Sequence, residues 1–194
     1  MKFRSVLSII TAIAFLMALN GCGSSKKGVS GRKEITEPFQ SAEYYSGTEY
    51  FKAVGQGTSP NLSMSKEIAE TDAQENLASE IQAKVKSVAE RYRQQRNISK
   101  NSEFNQKMEQ LTRTVVDETL NSAKVFDRKT FQESDGEYTH YIAIRMPVDP
   151  LKRNLEDRIS RDQKLRQDFE KEKFEETFNS ELKEYKKEQK RGYN

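Results

Sequence analysis

Residues 50–81 read YFKAVGQGTSPNLSMSKEIAETDAQENLASEI. Tyr50 to Gly55 combines aromatic and β-branched residues and ends in glycine, which reads as a strand. Gly55-Gln56-Gly57-Thr58-Ser59-Pro60 is turn chemistry. Asn61, Ser63 and Ser65 are each suited to cap a helix that follows. Ile68, Ala69, Ala73, Leu77, Ile81, Val85, Val88 and Tyr92 then recur mostly at steps of three and four, one apolar stripe reaching to about Arg96. Ala69, Ala73 and Ala78 are small, so this helix is able to approach closely whatever it covers.

Downstream, Asn97 to Asn101 is a polar break. A second helix follows with Phe104, Met108, Leu111, Val115 and Leu120 on one face. Ala123 to Phe131 alternates as a strand, with Val125, Asp127, Lys129 and Phe131 on one side and Phe126 and Thr130 on the other. Asp135-Gly136 is a hairpin signal. The returning strand is Tyr138 to Met146, where Tyr138, His140, Ile142, Ile144 and Met146 share a face, and Pro147 ends it. The order β-α-α-β-β predicts an α+β fold over 49–148, with helices packed on a small three-stranded antiparallel sheet. The Ala69–Tyr92 stripe is expected to cover that sheet.

After Pro147 the pattern changes. Asp149-Pro150 is a cap followed by proline at the first helical position. Leu151, Leu155, Ile159, Leu165, Phe169, Phe174, Phe178, Leu182 and Tyr185 recur at helical spacing with slips, and charges fill the rest. Asp157–Arg161 and Asp162–Arg166 are four-apart pairs of the favourable sign. The reading is one long charged amphipathic helix over 149–194. Either it packs partly on its own domain, or Phe169, Phe174, Phe178 and Leu182 are contacts for a partner or a second copy. The domain inventory looks complete at Pro147, so truncation after Arg161 is expected to leave the domain folded.

The amino terminus carries a different signal. Lys2 and Arg4 precede an apolar run from Val6 to Leu19 that is broken only by Ser8 and Thr11. Leu19-Asn20-Gly21-Cys22 then ends at the one cysteine of the chain. The run is shorter than the roughly 18 apolar residues of a spanning helix and reads as a secretory signal over 1–21. It resembles a bacterial lipobox, which implies cleavage before Cys22 and a diacylglyceryl and N-acyl anchor there. One acyl chain anchors only marginally, whereas two or three hold a protein on the bilayer. By resemblance to enterobacterial sorting, where an aspartate after the modified cysteine retains lipoproteins at the inner membrane, Gly23 implies outer-membrane delivery in the cell envelope. The tether lacks the acidic run of surface export, so the domain is expected to face the periplasm.

Removing Lys2 and Arg4 lowers the formal charge of +3 by two, to +1. That balance gives no electrostatic case for a nucleic-acid partner. Residues 22–48 are a tether and lead-in. The stretch GSSKKGVSGRKEIT is small, polar and basic, and about 28 residues from Cys22 to the first strand reach roughly 30 Å as a coil. Lys26-Lys27 and Arg32-Lys33 are placed to touch acidic headgroups. Pro38-Phe39 and Tyr44-Tyr45 read as an irregular lead-in that packs on the domain, with an aromatic ligand platform as the alternative.

The run FKAVGQGTSPNLSMSKEIAETDAQENLASEI, followed downstream by EYTHYIAIRMP, resembles the LPP-twenty lipoprotein family. Gly55, Ala69, Ala73, Leu77, Ala78 and Ile81 match its helix pattern, and Tyr141, Ile142 and Ala143 its final strand. The resemblance covers roughly Tyr50 to Pro147 and extends to the amino-terminal part of the flagellar ring protein FlgT and to a secreted TNF-alpha-inducing protein. It implies a small exported bacterial domain and no catalytic residues.

The chain shows no nucleophile elbow, phosphate loop or paired metal-ligand motif. His140 stands in an alternating strand without a neighbouring nucleophile. No catalytic residue, cofactor or metal is expected. Two function classes remain: a lipid-anchored structural or interaction module without catalysis, and an envelope lipoprotein that holds a small ligand or lipid between helix and sheet.

Overall fold

The computed structural model describes residues 36–98, 102–167 and 169–191. The expected signal, Cys22 and the basic tether lie outside the described residues. All described elements belong to one compact unit, Glu37–Asn194.

The fold is α+β. Among the described residues a 3-10 turn (Ala42–Tyr44) leads into β1 (Tyr50–Ser59), α1 (Leu62–Gln95) and α2 (Ser102–Leu120). Then come β2 (Lys124–Gln132), β3 (Tyr138–Pro147), α3 (Val148–Arg161), a 3-10 turn (Leu165–Gln167) and α4 (Lys171–Arg191). The sheet is antiparallel in the order β1-β3-β2.

β1 runs straight through the segment expected to be a turn. Gly55 pairs with Ile142 and Gly57 with His140. The glycines serve the helix above them. A Cβ on Gly55 would stand 2.3 Å from the Ala69 carbonyl oxygen and from the Ala73 nitrogen. One on Gly57 would stand 2.2 Å from the Ser65 carbonyl oxygen. Ser65, Ala69 and Ala73 are spaced by one helical turn, so α1 lies backbone to backbone on β1.

Asn61 caps α1: its side-chain oxygen accepts the Ser63 and Met64 N–H groups at 2.8 and 3.2 Å. The helix ends with Asn97 at φ 51° and the Ile98 N–H donating to the Arg93 carbonyl at 3.1 Å. That is a Schellman closure, in which asparagine takes the left-handed position usually held by glycine. At 34 residues α1 is about 51 Å long, longer than the strands beneath it. This corrects the expectation that its whole stripe covers the sheet. Ser65 to Ala73 meet β1, whereas Val85, Ala89 and Tyr92 meet helices.

The hairpin turns on Gly136 at φ 91°, with the Glu133 N–H donating to the Glu137 carbonyl at 2.8 Å. β2 carries a bulge between Val125 and Asp127. Val125 pairs with Ile144 on the α1 side, and Asp127 pairs with Ala143 on the far side. The extra residue, Phe126, thus breaks the expected sharing of one face by Val125, Asp127, Lys129 and Phe131.

The tail is two helices, where the sequence predicts one over 149–194. α3 stops at Asp162, whose backbone turns extended and whose carboxylate accepts the Lys164 and Leu165 N–H groups at 2.9 and 3.0 Å. A carboxylate that takes those donors competes with continued helix. Asp162 also pairs with Lys107 at 3.1 Å, while Asp157–Arg161 forms as expected at 2.9 Å.

Candidate functional site

The residues expected to meet a partner are interior ones. Phe174, Phe178 and Leu182 are each no more than 1 % exposed, and Phe169 is partly buried against the same core. α4 runs antiparallel to α1. Tyr92 meets Phe174 edge-on at 5.6 Å and Phe169 at 6.4 Å. Thr177 donates to Gln95 at 2.8 Å, and Ser87 donates to Glu181 at 2.6 Å. Arg91 also pairs with Glu181, and Lys84 lies 3.9 Å over the Tyr185 ring. The Glu170 N–H donates to the Tyr92 hydroxyl at 2.7 Å, which fixes the start of α4 on α1. The break at Asp162 reverses the chain, so the aromatic stripe faces inward. Phe174, Phe178 and Leu182 are thus covered by the chain's own core, and Phe169 is half-buried at its margin.

α1 closes the inner face of the sheet over β1 and β3, whereas the β2 residues of that face, Val125, Arg128 and Thr130, stay exposed. His140 lies there, 3 % exposed, with its Nδ1 2.7 Å from the Thr130 hydroxyl. Burial, then Lys66 and Arg128, hold its pKa below the usual value.

One edge of the sheet is sealed by side chains. Ser46 Oγ accepts the Lys52 N–H at 2.8 Å and donates to the Lys52 carbonyl at 3.2 Å. Asn76 donates to the Val54 carbonyl at 3.0 Å, and Asp72 accepts the Gln56 N–H at 2.9 Å. Residues 52, 54 and 56 are the outward-pointing alternates of β1. A side chain takes at least one outward backbone group of each, which hinders a further strand.

The outer face of the sheet is where polar chemistry gathers. Phe39, Tyr44 and Phe126 form a ladder with ring centroids 4.6 and 5.7 Å apart. Tyr44 donates to Asp127 at 2.6 Å, and that bond, with burial and the carboxylate charge, pushes the phenol pKa up to about 12. The lead-in therefore packs on the domain. Register places Lys52 opposite Arg145 and Arg145 opposite Lys124, a row of three cations across the strands. Arg145 lies 4.8 Å over the Tyr50 ring and 5.6 Å from that of Phe126. Lys129 stands further along, 5.2 Å over Phe39. Phe131 is 45 % exposed and meets Tyr141 edge-on at 5.9 Å. A cleft of about 410 Å³ opens between the lead-in and the sealed edge, lined by Phe39, Tyr45, Tyr141, Asp72 and Glu80.

Sequence reasoning did not single out Lys52, Lys124 and Arg145. They are far apart in the chain, and only the register aligns them. No protein-family model matches the chain, and no curated protein or solved structure matches it either.

Proposed function

We propose that this chain is an envelope lipoprotein of the kind its LPP-twenty resemblance implies: anchored through acyl groups on Cys22, sent to the outer membrane facing the periplasm, and acting as a structural or interaction module without catalysis. The observation that carries this reading is Leu19-Asn20-Gly21-Cys22 at the end of a basic-then-apolar leader. Cysteine sulfur is the atom an acyl anchor needs, and two or three chains exceed the marginal hold of one. The folded unit supports the module reading over the ligand carrier. α1 meets β1 at van der Waals range or closer to any added atom, so a guest between helix and sheet at Gly55 and Gly57 has no room.

The test is metabolic labelling with palmitate in a bacterial host, followed by membrane fractionation. The wild-type chain takes up label and stays with membranes after a carbonate wash, and Cys22→Ser loses both properties. A Cys22→Ser chain that still fractionates entirely with washed membranes would reject the anchor.

A further inference from the structure

We propose that the outer face of the sheet, centred on the row Lys52–Arg145–Lys124, docks on an anionic lipid surface. Like charges directly opposite one another across strands are destabilising, yet three stand in one row here. The local counter-charge is sparse. Glu43 and Glu49 face Lys52, which also feels Lys186 from α4. Asp127 is taken by Tyr44 and by the Arg128 N–H. Among the described residues no carboxylate pairs with Arg145 or Lys124. Lys52 Nζ donates to the Glu43 backbone carbonyl at 2.5 Å, and burial first, then the neighbouring Arg145, hold it below the usual lysine range, so Arg145 and Lys124 are the cations of the row left to meet an external anion.

The shape selects the anion. Strands lie about 4.8 Å apart, so the row spans roughly 10 Å. It stands on an exposed sheet face, with Arg145, Lys124 and Lys129 all open to solvent. A flat array of this kind suits several phosphate groups side by side better than one enclosed phosphate. Tyr50 and Phe126 flank it, and aromatic rings beside cations are suited to a headgroup boundary. The exposed Phe131 stands at the far end of the same face, about 20 Å along β3. The compact unit also begins on this face, where Phe39 and Tyr44 stack. The choice of a lipid surface rests on the anchored reading above; the charge row does not.

The experiment separates the two. The chain from residue 22 with Cys22→Ser keeps the whole compact unit and has no acyl group. It is sedimented with vesicles of phosphatidylcholine alone and with vesicles containing about one third phosphatidylglycerol. Binding is expected only to the anionic vesicles. Lys124→Gln and Arg145→Gln should each weaken it about five-fold, and together roughly 25-fold, from the usual contribution of a basic residue near an anionic surface. Circular dichroism melts confirm that both variants fold. Neutralising Lys26, Lys27, Arg32 and Lys33 should leave the dependence on Lys124 and Arg145 in place. The proposal is overturned by equal binding to both vesicles, by no binding, or by an unaffected double variant. Release by inorganic phosphate but not by sodium chloride of equal ionic strength would also overturn it, in favour of a discrete phosphate site. None of these outcomes bears on acylation of Cys22.

Discussion

α1 is one continuous helix with two kinds of neighbour. Over its first turns the inward residues are Ser65, Ala69 and Ala73, and they rest on the bare backbone of Gly57 and Gly55. Further on they are Leu77, Ile81, Val85, Val88 and Tyr92, and the neighbours include Met108, Phe174, Phe178 and Leu182. Side-chain volume along the stripe rises where the partner changes from strand backbone to helix side chains. The sheet half is therefore limited by the space for one hydrogen atom, and the helical half by the filling of aromatic volume. Failure should look different in each: overpacking in the first, cavities in the second.

The largest effect should come from removing the helical half's cover. Truncation after Arg161 deletes Leu165, Phe174, Phe178 and Leu182, each no more than 1 % exposed, and strips Tyr92 of its cover. Burying such side chains contributes roughly 1.5–3 kcal/mol apiece, which together matches a typical domain's whole stability. The truncated chain should lose its cooperative thermal transition. A sharp melt near the parent temperature would place α4 outside the core and dissolve the comparison. Phe178→Ala is the graded version. It should cost about 3–5 kcal/mol by urea denaturation, and the slope of the transition should stay unchanged.

On the sheet half, Gly55→Ala adds one carbon where backbone atoms stand at 2.3 Å. Neither α1 nor β1 is a flexible side-chain end, so one must shift. The expected cost is about 1–3 kcal/mol. Gly47→Ala is the matched control, because nothing stands within 4 Å of its added carbon; it should stay within about 0.5 kcal/mol. Equal stabilities for the two variants would mean that α1 rides higher on β1 than described.

The two halves were also unequally legible. The stripe from Ala69 to Tyr92 was readable because helical periodicity is local. The role of Gly55 and Gly57 was not, since glycine in a strand and glycine in a turn look the same until a helix is placed above them. The bulge at Phe126 hid the register of β2, and with it the alignment of Lys124, Arg145 and Lys52. The tail departs from the single helix its spacing predicts for a physical reason that the chain does carry: Asp162 sits where the apolar spacing slips, and its carboxylate ends α3. That stop sends the Phe174 and Phe178 face back onto α1. Cys22 needed no fold to be noticed, because its meaning lies in the leader before it.

The smallest expected effects come from one buried titratable group in each half, and they have opposite signs. In the sheet half, burial holds His140 below its unfolded value of 6.5. Its neutral form is the folded one. Its contribution is complete above about pH 6.5 and is lost as pH falls from there. In the helical half, Glu156 is 4 % exposed and its Oε1 has no hydrogen-bond partner among the described residues. Lys171 stands 3.6 Å from its other oxygen. Burial first, then Glu175, raise its pKa above the unfolded 4.5, against the opposing pull of Lys171 and Lys152. The protonated form is therefore the comfortable one, and its contribution is present below about pH 4.5 and lost as pH rises. Glu156→Gln should accordingly raise the melting temperature at neutral pH by about 1–3 °C, with the gain shrinking toward pH 4. His140→Gln should flatten the acid side of the stability curve between about pH 7 and 5. Melts of the parent and both variants across this range decide the matter. A Glu156→Gln chain less stable than the parent at neutral pH would show that Lys171 more than offsets the burial of the carboxylate.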